Sequence, residues 1–137
     1  MVNSLDKLIS DHLDSLVDNI TKDAVRQIPT YREAPLQRTI ERVERWLKML
    51  ATSVHENDPQ ILERYLVSIA RERHKEGYPV VDLHMVVQIT EYRIQELIDA
   101  SVADEIEGNA LSALLEAVMG AARMVLSVSY VFIVGSS

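Results

Sequence analysis

The sequence predicts an all-α domain, and three observations carry that prediction. Apolar residues recur at intervals of three and four along most of the chain, the spacing at which one face of an α-helix returns. Only four glycines and four prolines interrupt the pattern, too few for a succession of hairpins. Aromatic residues make up 5% of the chain against 47% hydrophobic overall, a composition suited to aliphatic helix packing. At 137 residues the chain falls within the size of one domain and is long enough to bury a core, so residues 1–137 are read as a single domain of five helices.

From Leu5, the residues Leu8, Ile9, Leu13, Leu16, Val17, Ile20, Ala24 and Val25 form a first amphipathic stripe. It ends before Pro29, because a residue preceding proline is pushed out of the α region. Residues 28–35 read as a connector bounded by two prolines. The second helix runs from about Leu36 to Val54 on the stripe Leu36, Ile40, Val43, Leu47, Leu50 and Val54, with Trp46 beside it. Asp58 and Pro59 are an N-cap and a first-turn proline, so a third helix starts there. It carries Leu62, Leu66 and Ile69 inward, with Arg73 on the same stripe, until Gly77 stops it. The fourth helix begins near Pro79 and presents Leu83, Val87, Ile94 and Leu97, with Met85, Ile89 and Tyr92 widening the apolar sector. Its polar side carries His84, Gln88, Glu91 and Gln95.

After an acidic turn at residues 103–108, the fifth segment from Asn109 to Val134 is apolar nearly all round and is expected to be buried on several sides. Glu116 and Arg123 leave an apolar run shorter than the roughly 18 residues of a membrane span, so a core or oligomer helix is expected and no membrane partner. Its last stretch, LSVSYVFIV at 126–134, is β-branched and aromatic enough to suit a strand as well. A lone strand in a helical chain would lack a hydrogen-bonding neighbour, which makes helix the expectation.

Composition also bounds the chemistry. Without cysteine, thiolate catalysis, disulfides and cysteine-ligated metals are excluded, and a reducing cytoplasm is the natural location. A net charge of -7 with a pI near 5.0 argues against nucleic acid, whose binding rests on clustered Lys and Arg. The N-terminus lacks the basic start and uninterrupted apolar core of a signal peptide. No phosphate loop, nucleophile elbow or HExxH pair occurs. A di-iron bundle needs Glu-x-x-His pairs, yet Ile9, Thr52, Arg71 and Val81 stand three residues before the four histidines. Glu41 and Glu44 lie among Arg38, Arg42 and Arg45 and read as a solvated ion-paired face. No catalytic residue, metal ligand or enzymatic activity is expected.

The remaining candidates belong to a binding site. His12 falls on the buried stripe of the first helix, as a hydrogen-bonded core histidine or as a pocket residue. His74 stands on the last turn of the third helix, placed to favour the helix dipole as a cation or to ligate a haem. Arg73 must pair with an acidic side chain, helix-end carbonyls or an anionic ligand, since a buried guanidinium needs a partner. Trp46 is a core residue or a stacking surface. Any ligand pocket is therefore expected at His12, Trp46, Arg73 and His74. The small row Ala113, Ala117 and Ala121, continued by Met124 and Val128, permits close helix approach and is the expected homodimer interface.

The segment from Arg73 through His-Lys-Glu-Gly77-Tyr-Pro79 to Val80 and Leu83, between two long helices, resembles the N-terminal input domain of RsbRD-type co-antagonists, which are RsbR-like stressosome regulators. The likeness extends upstream through Tyr31, the 36–50 helix and Asp58-Pro59. It implies a globin-like or bundle-like sensor domain without haem that dimerises, carries no shared catalytic residues, and passes a signal to an effector domain or regulatory protein. Only Gly135-Ser-Ser follows Val134, so an effector is expected to be a separate partner or a removed domain. A haem-binding globin-like gas or redox sensor through His74 or His12 and a ligand-free adaptor dimer are the alternatives.

Overall fold

The computed structural model describes residues 4–135, which form seven α-helices and no strand. In chain order these are α1 (Leu5–Asp11), α2 (Leu13–Gln27), α3 (Pro29–Glu33), α4 (Leu36–His55), α5 (Pro59–Lys75), α6 (Val80–Ser101) and α7 (Glu105–Gly135). The all-α class agrees with the sequence, whereas the count differs in two places. At His12 the backbone leaves the helical region, with φ -118° and ψ 23°, which splits the first stripe into α1 and α2. The stripe keeps its phase across that break, so periodicity alone does not report it. The expected connector contains α3, whose Pro29 supplies the fixed φ of a first helical turn.

The helix ends follow from local chemistry. Ser4 caps α1 by accepting from the Lys7 N–H at 3.4 Å. Ile28 and Ala34 both precede prolines and are extended, which separates α3 from its neighbours. Asp58 accepts from the Gln60 N–H at 3.0 Å and Pro59 occupies the first turn of α5. At the other end of α5, Gly77 has φ +87°, where a side chain would be strained. The Tyr78 N–H then reaches the Arg73 carbonyl at 2.9 Å and the Gly77 N–H reaches that of His74 at 3.0 Å, the paired bonds of a Schellman stop. This turns the chain through Tyr78 and Pro79 into α6.

The acidic stretch read as a turn lies largely inside α7. Asp104 Oδ1 accepts from the Ile106 and Glu107 N–H groups, and Glu105 and Glu107 sit in the positive first turn. Residues 126–134 are helical to the end of that stretch, because Leu126 and Tyr130 keep the i, i+4 spacing that faces the core.

The helices enclose one core. α4 packs on α1, α2 and α5; α2 packs on α6; and α7 lies against α5 and α6. Ile9, Ile20, Leu47, Leu50, Ile94 and Met119 are fully buried at its centre. An ion pair locks α2 to α6, with Arg93 Nε and Nη2 gripping the buried Asp23 carboxylate at 2.7 and 2.9 Å. The hydrogen-bonded guanidinium holds the Asp23 carboxyl below the usual carboxylate range against the opposing effect of burial.

Candidate functional site

Two features of the fold point outward: a small cavity beside Arg73, and the outer face of α7. The cavity, of about 50 Å³, is walled by Tyr31 from α3, Arg42 and Trp46 from α4, and Tyr65 and Arg73 from α5, over an apolar floor that includes Leu126 of α7. Trp46 is buried on the inner side of α4, where its indole N–H donates to Thr90 Oγ1 of α6 at 2.9 Å. Its ring stacks on Tyr65 with centroids 6.5 Å apart, while Tyr31 meets Tyr78 edge-on at 5.2 Å. Burial pushes the Tyr31 hydroxyl well above the usual tyrosine range and raises Tyr65 as well, the Arg73 charge opposing both shifts.

Arg73 continues the α5 stripe inward and is 5% exposed. Its Nη1 lies 3.5 Å from Glu72 and 3.5 Å from Glu76, and the second of these carboxylates is drawn away by Arg42 at 2.8 Å. The structure therefore brings Trp46 and Arg73 to one cavity.

The other two site residues stand apart from it. His12 is half-buried at the α1–α2 break, with its Nδ1 3.0 Å from the Leu8 carbonyl, and lies outside the cavity wall. The His74 ring packs edge-on against Tyr130 at 5.7 Å and likewise does not line the cavity. The sequence singled out neither Tyr31 nor Tyr65 as site residues. Of the histidines read as solvent-facing, His55 is exposed beside Asp6 at 2.9 Å. His84 is half-buried and 3.0 Å from Ser127, and burial followed by the Arg123 charge depresses its pKa. Among the described residues, no cluster of three His, Asp or Glu side chains is arranged to hold a metal ion.

α7 corrects the expectation of burial on several sides. Leu111, Leu115, Met119, Ala122, Leu126 and Tyr130 face α5 and α6, and at 100° per residue the opposite side of the helix faces outward. There Ala113, Ala117, Ala121, Met124 and Val128, the expected interface residues, are all exposed. Met124 is 68% exposed, Val128 48%, and Val131 and Phe132 71% each. α7 packs on α5 and α6 with one side, so that face is covered and the other is not. The two charges of its central stretch flank this face: Arg123 is bound to Glu91 of α6, and Glu116 lies on the same flank. A groove of about 320 Å³ runs along the face between Leu114, Ala117 and Ala121 on one side and Val54, Pro59 and Leu62 on the other. By length and composition alone α7 could cross a membrane.

Searches of protein-family models, curated proteins and solved structures find no match to this chain.

Proposed function

We propose that the chain is a non-enzymatic regulatory input module that acts as a homodimer through α7 and passes changes in helix packing to an effector domain or regulatory protein. The observation that carries this reading is the uncharged apolar face of α7. Contiguous apolar surface of this extent is uncommon on monomers and marks an interaction site. The face also contains both halves of its own complement. Ala113, Ala117 and Gly120 make its first half small, while Met124, Val128 and Val131 make its second half bulky.

Two copies laid antiparallel about Ala122 set each bulky residue of one over a small residue of the other, as ridges fill grooves. A parallel pairing would oppose bulky to bulky and leave voids between alanines. Residues 110–134 span about 36 Å at ~1.5 Å per residue. A bilayer suits the face less well, because the opposite side of the same helix is packed on α5 and α6 of a water-facing bundle.

The resemblance of residues 73–83 to RsbRD-type input domains supports the same reading, and with it a globin-like arrangement for the bundle. Relay through such a dimer needs two packings of α7 that a ligand or partner distinguishes. Size-exclusion light scattering tests the reading: it expects twice the 15.5 kDa chain mass. A monomer that instead floats with lipid vesicles would assign the face to a membrane.

A further inference from the structure

The cavity beside Arg73 gathers hydrogen-bond donors that the fold leaves unmet. A guanidinium carries five N–H donors and no acceptor. That of Arg73 is buried, yet among the described residues its polar contacts run only through Nη1, at 3.5 Å, the outer limit of a hydrogen bond. Its Nε and Nη2 have no acceptor among the described residues. The rings of Tyr31 and Tyr65 are held by Tyr78 and Trp46, but their hydroxyls, too, have no hydrogen-bond partner among the described residues. Arg73, Tyr31 and Tyr65 line one small space, where an acceptor would meet donors that protein leaves unbonded.

We propose that this cavity binds a short-chain carboxylate of formate or acetate size. The carboxylate accepts side by side from Arg73 Nε and Nη2, the planar match that guanidinium offers, and from the Tyr31 and Tyr65 hydroxyls. The apolar wall of Leu66, Val87 and Leu126 takes the methyl end. A volume of about 50 Å³ suits a ligand of acetate size and is far below the roughly 300–1,000 Å³ of a usual cofactor or drug-sized site. Occupancy bears directly on α7. Leu126 forms part of the wall, and the Tyr130 hydroxyl donates to the carbonyl of Tyr78, whose own N–H bonds the Arg73 carbonyl.

Trp46 is the only tryptophan of the chain and lines the cavity, so its fluorescence reports binding directly. Sodium acetate and sodium formate titrated at pH 7, with ionic strength held by sodium chloride, should give saturable changes in the full-length protein. Arg73→Met should weaken acetate binding at least tenfold, and Tyr31→Phe and Tyr65→Phe several-fold each. Three results would each overturn the proposal: a non-saturating response, equal saturation by chloride, or unchanged affinity in Arg73→Met. If Arg73→Met does not fold, unchanged affinity in both tyrosine variants overturns it, since each loses only a hydroxyl. The fluorescence readout is independent of molecular mass, so this site and self-association through α7 succeed or fail separately.

Discussion

Placing one charge on the outer face of α7 separates the stability of the single chain from that of the dimer. Val128 is 48% exposed in the single chain, on the side of α7 away from the core. Val128→Glu should therefore change the stability of the monomer by no more than about 0.5 kcal/mol, as surface substitutions usually do. In the antiparallel pair the same position lies over Ala117 of the second copy. Losing the remaining valine burial removes about 1 kcal/mol per copy. A carboxylate carried into the seam costs several kcal/mol more, even after relaxation. Twofold symmetry applies the change twice, so association weakens by at least ~5 kcal/mol, or about 10³–10⁴-fold in Kd. Sedimentation equilibrium measures that loss, and far-ultraviolet circular dichroism should show helix content unchanged. A Val128→Glu protein that dimerises with wild-type affinity would exclude Val128 from the dimer seam.

Three further predictions concern the frame that holds the site. Arg93→Ala leaves the buried Asp23 carboxylate with Arg26 alone at 3.0 Å, so urea denaturation should show a loss of about 2–3 kcal/mol, somewhat under the ~3–5 of a wholly abandoned buried charge. Because the folded pKa of Asp23 is depressed, its stabilisation is complete above the unfolded carboxylate value and is lost as pH falls below about 4. Wild-type stability should therefore decline over that range more steeply than that of Asp23→Asn, as measured by urea midpoints between neutral and acid pH. Gly77→Ala meets no steric neighbour, so its cost is the positive φ alone, about 1–2 kcal/mol by thermal unfolding.

Much of the frame was legible because the residues that end helices act locally. Asp58-Pro59 and Gly77 declare the limits of α5 without reference to the rest of the chain, and the stripes of α4 and α5 name core residues such as Leu47, Leu50 and Leu66. The break at His12 was not legible, since no proline or glycine marks it and the stripe resumes in phase. The fifth segment showed the converse problem. A helix apolar on all sides declares that each face wants cover, but its sequence does not say which face its own bundle supplies. Leu111 and Ala113 look alike on that measure, and only the packing of α5 and α6 tells them apart.

The site was legible in the same partial way. Arg73 on an apolar stripe announced a buried charge in need of a partner. Tyr31 reaches its cavity from α3, which no local pattern links to Arg73, and Tyr65, two turns earlier on α5, stands beside the stripe rather than on it. His12 lay on the right stripe, yet the backbone break set its ring against the Leu8 carbonyl instead.

Antiparallel pairing of α7 with itself can be tested by disulfide trapping, because the chain has no native cysteine. Positions 117 and 128 lie about 16 Å apart along one helix, too far to bridge within a chain. In the antiparallel dimer each faces the other across the seam. The Ala117→Cys, Val128→Cys double variant should therefore oxidise to a covalent dimer on non-reducing electrophoresis while each single variant stays monomeric. Cross-linking of the single Ala117→Cys variant, with none gained in the double, would rule out the antiparallel pairing.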